Sequence, residues 1–185
     1  RPFAILEPKR GIPLEDYVER NGALGNEMLA HIAMQTGMIM EALNAVCGEI
    51  VLRSIKPANI LLAEKGELMI ADFTLAIFPD IPGHDADIDD EIVGTPQYLS
   101  PEQCAGSSDI RCQADMYSLG ATLYFAATGT VPFSKLAVTN IFEAQCTRTL
   151  ADPRKMAKNL APALSILIRR LMAKKAVERY RNWTE

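Results

Sequence analysis

The chain has 185 residues, of which 49% are hydrophobic and 23% are charged, and its formal net charge is −4. This composition excludes a disordered or fibrous chain, and the length is typical of one domain with a sizeable core. The negative charge and the 6% aromatic content argue against binding to nucleic acid through phosphate contacts or base stacking. We therefore expect one domain, residues 1–185, with no nucleic-acid partner.

The first third of the chain predicts one strand followed by helices. Apolar residues predict a short strand over residues 2–7, and a loop separates this strand from a short helix over residues 14–20. Apolar residues then recur at helical spacing over residues 26–47, with Asn26 as the expected N-cap and Gly48 at the expected end. This segment predicts the first long helix of the domain.

The middle of the chain predicts a β-hairpin and then a long loop. Two apolar triplets at residues 60–62 and 68–70 flank a Glu-Lys-Gly turn, which is typical of a hairpin. Residues 73–101 show no regular period and contain several prolines and glycines, so we predict a loop there. Loops of this length are usually functional.

The last third of the chain predicts three helices. Residues 112–127 are apolar on nearly every side, which is typical of a helix that is buried all round. Amphipathic patterns predict two more helices over residues 138–146 and 161–173, the second with Pro162 in its first turn. The prediction is a helix-rich domain with one small hairpin.

The cysteine and histidine content indicates neither disulfides nor a zinc site. The four cysteines form no Cys-x-x-Cys pair, and the chain has only two histidines. We interpret the cysteines as reduced thiols of a cytoplasmic protein. No apolar run reaches the roughly 18 residues that a membrane helix requires, and no signal peptide is recognisable, so we expect no membrane association. The cysteines are Cys47, Cys104, Cys112 and Cys146.

Four motifs follow one another along the chain. They are Leu-Arg-Ser-Ile-Lys-Pro-Ala-Asn at residues 52–59, Asp-Phe-Thr at 72–74, Gly-Thr-Pro-Gln-Tyr-Leu-Ser-Pro-Glu at 94–102 and Asp-Met-Tyr-Ser-Leu-Gly at 115–120. Their order and spacing resemble the C-terminal lobe of a eukaryotic-like protein kinase, most closely the bacterial Ser/Thr kinases. The resemblance covers essentially the whole chain, and four motifs in register make a chance match implausible.

The resemblance implies a mainly α fold within an α+β family, namely a protein kinase-like C-terminal lobe with a small β-hairpin. It places the activation-segment equivalent at residues 72–102 and the floor of the nucleotide cleft around Leu61. The sequence has no Gly-x-Gly-x-x-Gly loop, and Lys9 is the only lysine before Lys56, so the lysine that grips ATP phosphates has no counterpart. We therefore expect the small lobe to be absent from this chain.

The catalytic loop departs from the family pattern at its central position. The family has His-Arg-Asp followed by Lys and Asn, whereas this chain has Leu52-Arg53-Ser54 followed by Lys56 and Asn59. Ser54 thus stands where the family has its catalytic Asp. A neutral hydroxyl cannot act as a base near pH 7 without an activator, and no histidine lies nearby in sequence. We predict that Ser54 and Lys56 belong to an inactive catalytic site.

The metal-binding positions of the family are retained. Asn59 and Asp72 match the two positions that coordinate magnesium, and both side chains offer oxygen ligands. Alternatively, the two side chains merely satisfy backbone groups of their own loops. Thr74 replaces the glycine of the family's Asp-Phe-Gly motif, and its β-branch restricts the backbone there. The resemblance implies a site for nucleotide-bound magnesium at Asn59 and Asp72.

Other matches to the family imply structural contacts. A lone buried carboxylate is costly, so Asp115 is expected to accept hydrogen bonds from backbone N–H groups, which by resemblance belong to the loop near Arg53. Glu102 and Arg179 match family positions that pair and so join the activation segment to the last helices. Structural roles are assigned to Arg53, Thr95, Glu102, Asp115 and Arg179.

Two groups of apolar side chains are expected in the core. Leu52 replaces a family histidine, and we expect it to fill the same apolar space beside the Phe73 position. Four methionines of the first long helix are expected to pack inside rather than to bind a ligand. They are Met28, Met34, Met38 and Met40.

Charged residues form two groups. One of the acidic residues between positions 80 and 91 could replace a phosphate opposite Arg53, and the alternative is a solvated acidic loop. The basic residues at 169, 170, 174 and 175 are expected on a polar helix face. The acidic residues are Asp80, Asp85, Asp87, Asp89, Asp90 and Glu91.

The substitution at Ser54 indicates a pseudokinase, that is, a Ser/Thr kinase-family domain without phosphotransfer activity that acts as a binding or scaffold module. The alternative is the C-terminal lobe of an active ATP-dependent Ser/Thr kinase whose small lobe lies upstream or on another chain. No cofactor is expected for this chain, whereas an active parent protein would use magnesium and ATP.

The surface around Phe3, Leu6, Leu61 and Leu68 would face the small lobe of a complete kinase. We expect it to lie open here, and exposed apolar patches of several hundred Å² usually mark an interface. A protein partner, an upstream segment or a second copy in a homodimer is expected to cover it. The alternative is a small patch that tolerates water.

Overall fold

Helices dominate the regular structure of the computed structural model, which describes residues 11–63, 66–81 and 93–185. Short 3₁₀ turns at 57–59, 96–98, 153–155 and 176–178 connect the longer elements. The described strands and helices are, in chain order, β1 (Ile12–Pro13), α1 (Leu14–Asn21), α2 (Asn26–Cys47), β2 (Ile60–Leu62), β3 (Leu68–Ile70), α3 (Pro101–Cys104), α4 (Cys112–Thr128), α5 (Val138–Thr147) and α6 (Pro162–Leu171).

Helix α4 is the centre of the core, as its all-round apolar sequence predicts. Almost every side chain from Cys112 to Ala127 is buried, and the helix packs against α2 and α6. Gly120 permits the close approach to α6, because a β-carbon there would lie 2.8 Å from both Leu171 Cβ and Met172 Cγ. The helix ends at Gly129, which has a left-handed backbone and closes the last turn with a hydrogen bond to Phe125 O.

A small antiparallel sheet with the strand order β1-β2-β3 lies beside the helices. The predicted hairpin forms β2 and β3, with Leu61 opposite Met69. Strand β1 adds a third strand, with Ile12 opposite Leu62, although residues 8–13 were expected to be a loop. Two residues are too few for a strand pattern, so only the pairing with β2 reveals this element.

Helix α2 has the predicted bounds but differs from the prediction in two respects. Asn26 is its first residue rather than its N-cap, and its side chain hydrogen bonds instead to Asn159 O and Ala161 N, which connects α2 to the start of α6. Met40 is buried, whereas Met34 and Met38 are 65% and 59% exposed, so the expectation of a core role is wrong for both. The buried stripe of α2 consists of Met40 together with Leu29, Ile32 and Thr36.

Several predictions fall outside the described residues or extend past them. The strand expected over residues 2–7, the turn residues Glu64 and Lys65, and the acidic residues from Asp85 to Glu91 lie outside the described ranges. Within those ranges, no helix combines the length and the apolar character that a membrane crossing requires.

Candidate functional site

Helix α4 supports the loop at residues 52–59 through hydrogen bonds. Asp115 is completely buried, and its carboxylate accepts hydrogen bonds from Leu52 N at 2.6 Å and from Arg53 N at 2.9 Å. The contact predicted for Asp115 is therefore confirmed. Burial raises the pKa of Asp115 to about 7, and the two N–H donors act against that rise because they favour the carboxylate. Arg53 has a positive φ of 56°, so the backbone turns sharply where Asp115 supports it.

Ser54 joins this loop to the segment that carries Asp72. Its side chain is buried, and its hydroxyl donates a hydrogen bond of 2.5 Å to the backbone carbonyl of Asp72. Asn59 completes the junction, because its Nδ2 donates to Ser54 O at 2.8 Å and its own carbonyl accepts from Ala71 N at 2.8 Å. The structure thus brings Ser54, Asn59 and Asp72 together.

Asp72 is exposed and has a left-handed backbone with a φ of 67°. Its Oδ1 accepts a hydrogen bond from Thr74 N at 3.1 Å, which closes a short turn. Hydrogen bonds from the side chain and backbone of Thr74 lower the pKa of Asp72, and Lys56 and Asn59 contribute in the same direction. The Asp72 carboxylate is therefore ionised at neutral pH.

This donor set fits a magnesium ion that also binds phosphate and water. Magnesium prefers hard oxygen ligands and is often held by one or two protein groups, with the substrate phosphates supplying the rest. Asp72 offers an ionised carboxylate, and Asn59 offers an amide oxygen once its Nδ2 is engaged by Ser54 O. Within the described ranges, no group of three or more His, Cys, Asp or Glu side chains could hold a metal by itself. A bound ion would therefore depend on ligands from outside the chain.

Lys56 and Thr95 close the opposite side of the site. Lys56 Nζ donates to Thr95 Oγ1 at 3.0 Å, which connects the catalytic-loop equivalent to the end of the activation-segment equivalent. A cavity of about 250 Å³ lies between these segments. Leu61 does not line this cavity and lies half-buried in β2. The predicted site residues that line the cavity are Arg53, Ser54, Lys56, Asn59, Asp72 and Thr95.

Arg53 makes a backbone contact within the described residues. Its Nε donates to Leu75 O at 2.7 Å, which holds the start of the activation-segment equivalent. Asp80, the only described member of the predicted acidic group, instead accepts from Arg111 at 2.8 Å. An acidic residue opposite Arg53 stays a prediction, because the other members lie outside the described ranges.

Leu52 and Phe73 differ in their environments. Leu52 is completely buried, as expected of a residue that fills apolar space. Phe73 is 45% exposed and is not part of the core cluster that contains Leu52. Packing of Leu52 beside Phe73 stays a prediction, because the exposure of the Phe73 ring does not by itself show which side chains the ring contacts.

Glu102 and Arg179 form the predicted ion pair. The guanidinium binds both carboxylate oxygens, at 2.6 Å and 2.9 Å. The Arg179 side chain is completely buried and also donates to three backbone carbonyls, those of Gln113, Ala173 and Lys174. A bidentate pair with all remaining donors satisfied is a strong anchor between α3 and the C-terminal residues.

Two further residues support the site, and no motif in the sequence points to either of them. Glu49 accepts from Cys112 N at 2.9 Å and from Arg111 at 3.0 Å, so it connects the segment before the catalytic loop to the start of α4. Gln145 on α5 accepts from Tyr117 Oη at 2.6 Å and donates to Pro96 O and Gln97 O. Both residue types are common on surfaces, and only their position in the fold shows what they support.

The sequence of this chain is similar to the sequences of known proteins. Residues 3–183 match the family model of the protein kinase domain. The chain is 30% identical over 186 residues to a probable serine/threonine-protein kinase of Clostridium perfringens, an alignment that covers 99% of this chain and 26% of that protein. It is 29% identical over 188 residues to the probable serine/threonine-protein kinase PknB of Bifidobacterium longum, covering 100% of this chain and 26% of that protein.

A third relative is the serine/threonine-protein kinase PknB of Mycolicibacterium smegmatis, which is 28% identical over 185 residues, with 100% of this chain and 29% of that protein covered. The chain thus spans between a quarter and a third of the length of these relatives. Since the family model matches nearly the whole chain, the chain belongs to the protein kinase domain family, and the relatives to which it is similar are bacterial serine/threonine-protein kinases.

Proposed function

We propose that this chain is a catalytically inactive member of its family that acts as a binding or scaffold module. The observation that carries the proposal is the burial and the hydrogen bonding of Ser54. Its hydroxyl is buried and donates its single proton to Asp72 O. A kinase needs a carboxylate at this position to accept or orient the proton of the substrate hydroxyl.

Nothing among the described residues would activate Ser54 as a base. His31 is the only histidine in the described ranges, and its Nε2 contacts Gly66 O in the β2–β3 turn. Lys56 is a cation that donates to Thr95, and Asp72 meets Ser54 through its backbone carbonyl rather than through its carboxylate. Among the described residues, the site therefore keeps groups that hold charge and has no group placed to accept a proton from Ser54.

In an active relative, ATP would be the phosphoryl donor, and the bound magnesium would neutralise the charge of its phosphates. In this chain, Asn59 and Asp72 would hold the ion, and Lys56 would add a positive charge at the cavity. These three residues would therefore bind and orient a ligand. The missing step is proton transfer, which supports a binding role over a catalytic role.

We expect the purified chain to show no phosphotransfer to itself or to a generic protein substrate. We also expect little or no binding of magnesium–ATP, since the 185-residue sequence contains no Gly-rich phosphate loop and no counterpart of the phosphate-gripping lysine. Radiolabel transfer measures the first expectation, and calorimetry measures the second. Ser54→Asp alone should not restore transfer, because the other parts are still missing.

The control for this experiment is Asp72→Ala. Transfer by the wild-type chain that disappears in Asp72→Ala would contradict the proposal and favour the active-kinase alternative. Micromolar binding of magnesium–ATP would contradict only the expectation on nucleotide affinity.

We propose in addition that the sheet side of the domain binds a second copy of the chain. Ile12 lies on β1, which is an edge of the sheet formed by the described strands, and is 43% exposed, and Leu61 beside it on β2 is half-buried. Leu68 was expected on this surface but is buried in the core, and Phe3 and Leu6 lie outside the described residues. An edge strand with exposed apolar side chains is a ready surface for association, and two-fold dimers are the commonest assemblies.

Light scattering at micromolar concentration should therefore report a mass above that of the 20.3 kDa monomer. Ile12→Asp is expected to return the chain to a monomer, because it places a charge in the edge strand. Leu61→Asp tests the same surface from the neighbouring strand. Val177→Asp, at an exposed apolar residue near the C-terminus, is the matched control and should leave the mass unchanged. A wild-type monomer would contradict self-association.

A further inference from the structure

Cys104 and Cys146 lie on two helices that pack against each other where the activation-segment equivalent ends. Cys104 is the last residue of α3, and Cys146 lies in the last turn of α5. The Cys146 thiol donates to Pro101 O at 3.5 Å, and the Cys104 thiol donates weakly to Leu99 O at 4.0 Å. The two sulfur atoms thus approach carbonyls that are two residues apart at the start of α3.

Helix geometry brings the two side chains close together. The Pro101 carbonyl points along α3 and accepts a hydrogen bond from Ala105 N at 2.9 Å, so it lies beside the turn that carries Cys104. The Cys146 sulfur reaches the same carbonyl from α5 and therefore lies next to the Cys104 side chain. Burial raises the pKa of the Cys104 thiol to about 12, and negative charge on Cys146 raises it further, as expected of neighbouring sulfur atoms.

A lysine side chain adds positive charge beside this pair. Lys174 Nζ donates to Tyr117 Oη at 2.9 Å and to Ala144 O, on α5, at 3.4 Å. Burial lowers the pKa of Lys174 to about 8, and negative charge on Cys146 and on Cys104 acts against this fall. An ammonium group near a thiol favours the thiolate, which is the form that reacts with oxidants.

Both cysteines are partly exposed, so a small oxidant can reach them, whereas Cys112 is buried. All four cysteines of the chain are free thiols in the structure. Cα atoms of α3 lie within 8 Å of Cα atoms of α5, and disulfides join residues whose Cα atoms are about 4–7 Å apart. The spacing of the two helices is therefore close to what a disulfide can bridge.

We propose that Cys104 and Cys146 are a redox-sensitive pair, which hydrogen peroxide oxidises to a disulfide between α3 and α5. The Cys146 thiolate attacks one peroxide oxygen, so that a sulfur–oxygen bond forms, the oxygen–oxygen bond breaks, and the departing hydroxide takes up a proton to become water. The Cys104 sulfur then attacks the Cys146 sulfur, and hydroxide leaves with the Cys104 proton as a second water. The two thiols lose two electrons, and the peroxide gains them.

The disulfide would connect the end of the activation-segment equivalent to α5. Helix α3 would then be anchored at two points, since its Glu102 already pairs with Arg179. This inference goes beyond the proposed function, because it concerns thiol chemistry and requires neither nucleotide nor phosphotransfer.

The test is to treat the reduced 185-residue chain with hydrogen peroxide and to count its thiols after denaturation. The four thiols of the wild type should fall to two, and peptide mapping should find Cys104 joined to Cys146 within one chain. Dithiothreitol should restore all four thiols. The oxidised chain should melt at a higher temperature than the reduced chain, because the bridge constrains the unfolded state.

Serine variants separate the roles of the two cysteines. Cys104→Ser leaves Cys146 without a partner, so dimedone should trap the sulfenic acid that forms on Cys146. Cys146→Ser should give neither the disulfide nor a dimedone adduct, because the high pKa of Cys104 leaves little thiolate at neutral pH.

The matched control is Cys112→Ser. Cys112 also donates to a backbone carbonyl, Arg181 O at 3.8 Å, and burial raises its pKa to about 12 as well. This variant should still form the Cys104–Cys146 disulfide. The inference is overturned if peroxide leaves four thiols in the wild type, if the bridge joins other cysteines, or if Cys112→Ser prevents the bridge. Peptide mapping of the wild type decides the inference even where a variant fails to fold.

Discussion

Arg179→Ala is expected to lower the free energy of unfolding by about 3–5 kcal/mol, the usual cost when one partner of a buried ion pair is removed. The variant leaves the Glu102 carboxylate without its bidentate partner, and that carboxylate is only 17% exposed. It also removes the donors to the carbonyls of Gln113, Ala173 and Lys174. For a domain of this size the melting temperature should fall by roughly 6–20 °C. Calorimetry or urea denaturation followed by circular dichroism measures the change.

Two further variants make this prediction specific. Glu102→Gln keeps the shape of the partner and should be less damaging than Arg179→Ala, because the guanidinium retains its three backbone acceptors. Arg181→Ala removes an exposed arginine whose contact with Glu185 is 4.0 Å long, and it should change stability little. Equal effects of Arg179→Ala and Arg181→Ala would show that the buried pair does not anchor α3.

Asp115→Asn is expected to destabilise the catalytic-loop equivalent by about 1–3 kcal/mol, the cost of one buried donor left without an acceptor. The carboxylate accepts from Leu52 N with one oxygen and from Arg53 N with the other. Asparagine has a single acceptor oxygen, so its amide group would face one of these N–H groups. The substitution changes hardly any volume, so the loss reports on hydrogen bonding and not on a cavity.

Urea denaturation measures the loss of stability, and amide exchange at Leu52 and Arg53 locates it. Both amides should exchange faster in Asp115→Asn than in wild type. Asp109→Asn is the control, because Asp109 is an exposed carboxylate paired with Arg111 near the start of the same helix. Unchanged exchange at Leu52 and Arg53 in Asp115→Asn would contradict the role assigned to Asp115.

The sequence predicts those helices and strands whose formation depends on residues close together along the chain. The all-round apolar sequence of α4 predicts its central place, because a helix without a polar face cannot lie at a surface. The hairpin follows from two apolar triplets around a turn. The exposure of Met34 and Met38 could not be predicted in this way, since methionine suits both core and surface and α4 covers only one side of α2.

The candidate site likewise has features that the sequence predicts and features that only the tertiary structure shows. The sequence by itself determined which chemical groups are present: a serine where the family has its base, an amide and a carboxylate suited to magnesium, and a buried acid on α4. Tertiary structure alone decided how these groups face one another. Ser54 turns its hydroxyl to Asp72 O, and Glu49 reaches the start of α4, across 18 and 63 residues of chain respectively. Hydrogen bonds between such distant residues depend on distances of about 3 Å and on the direction of each donor, which residue spacing along a chain does not encode.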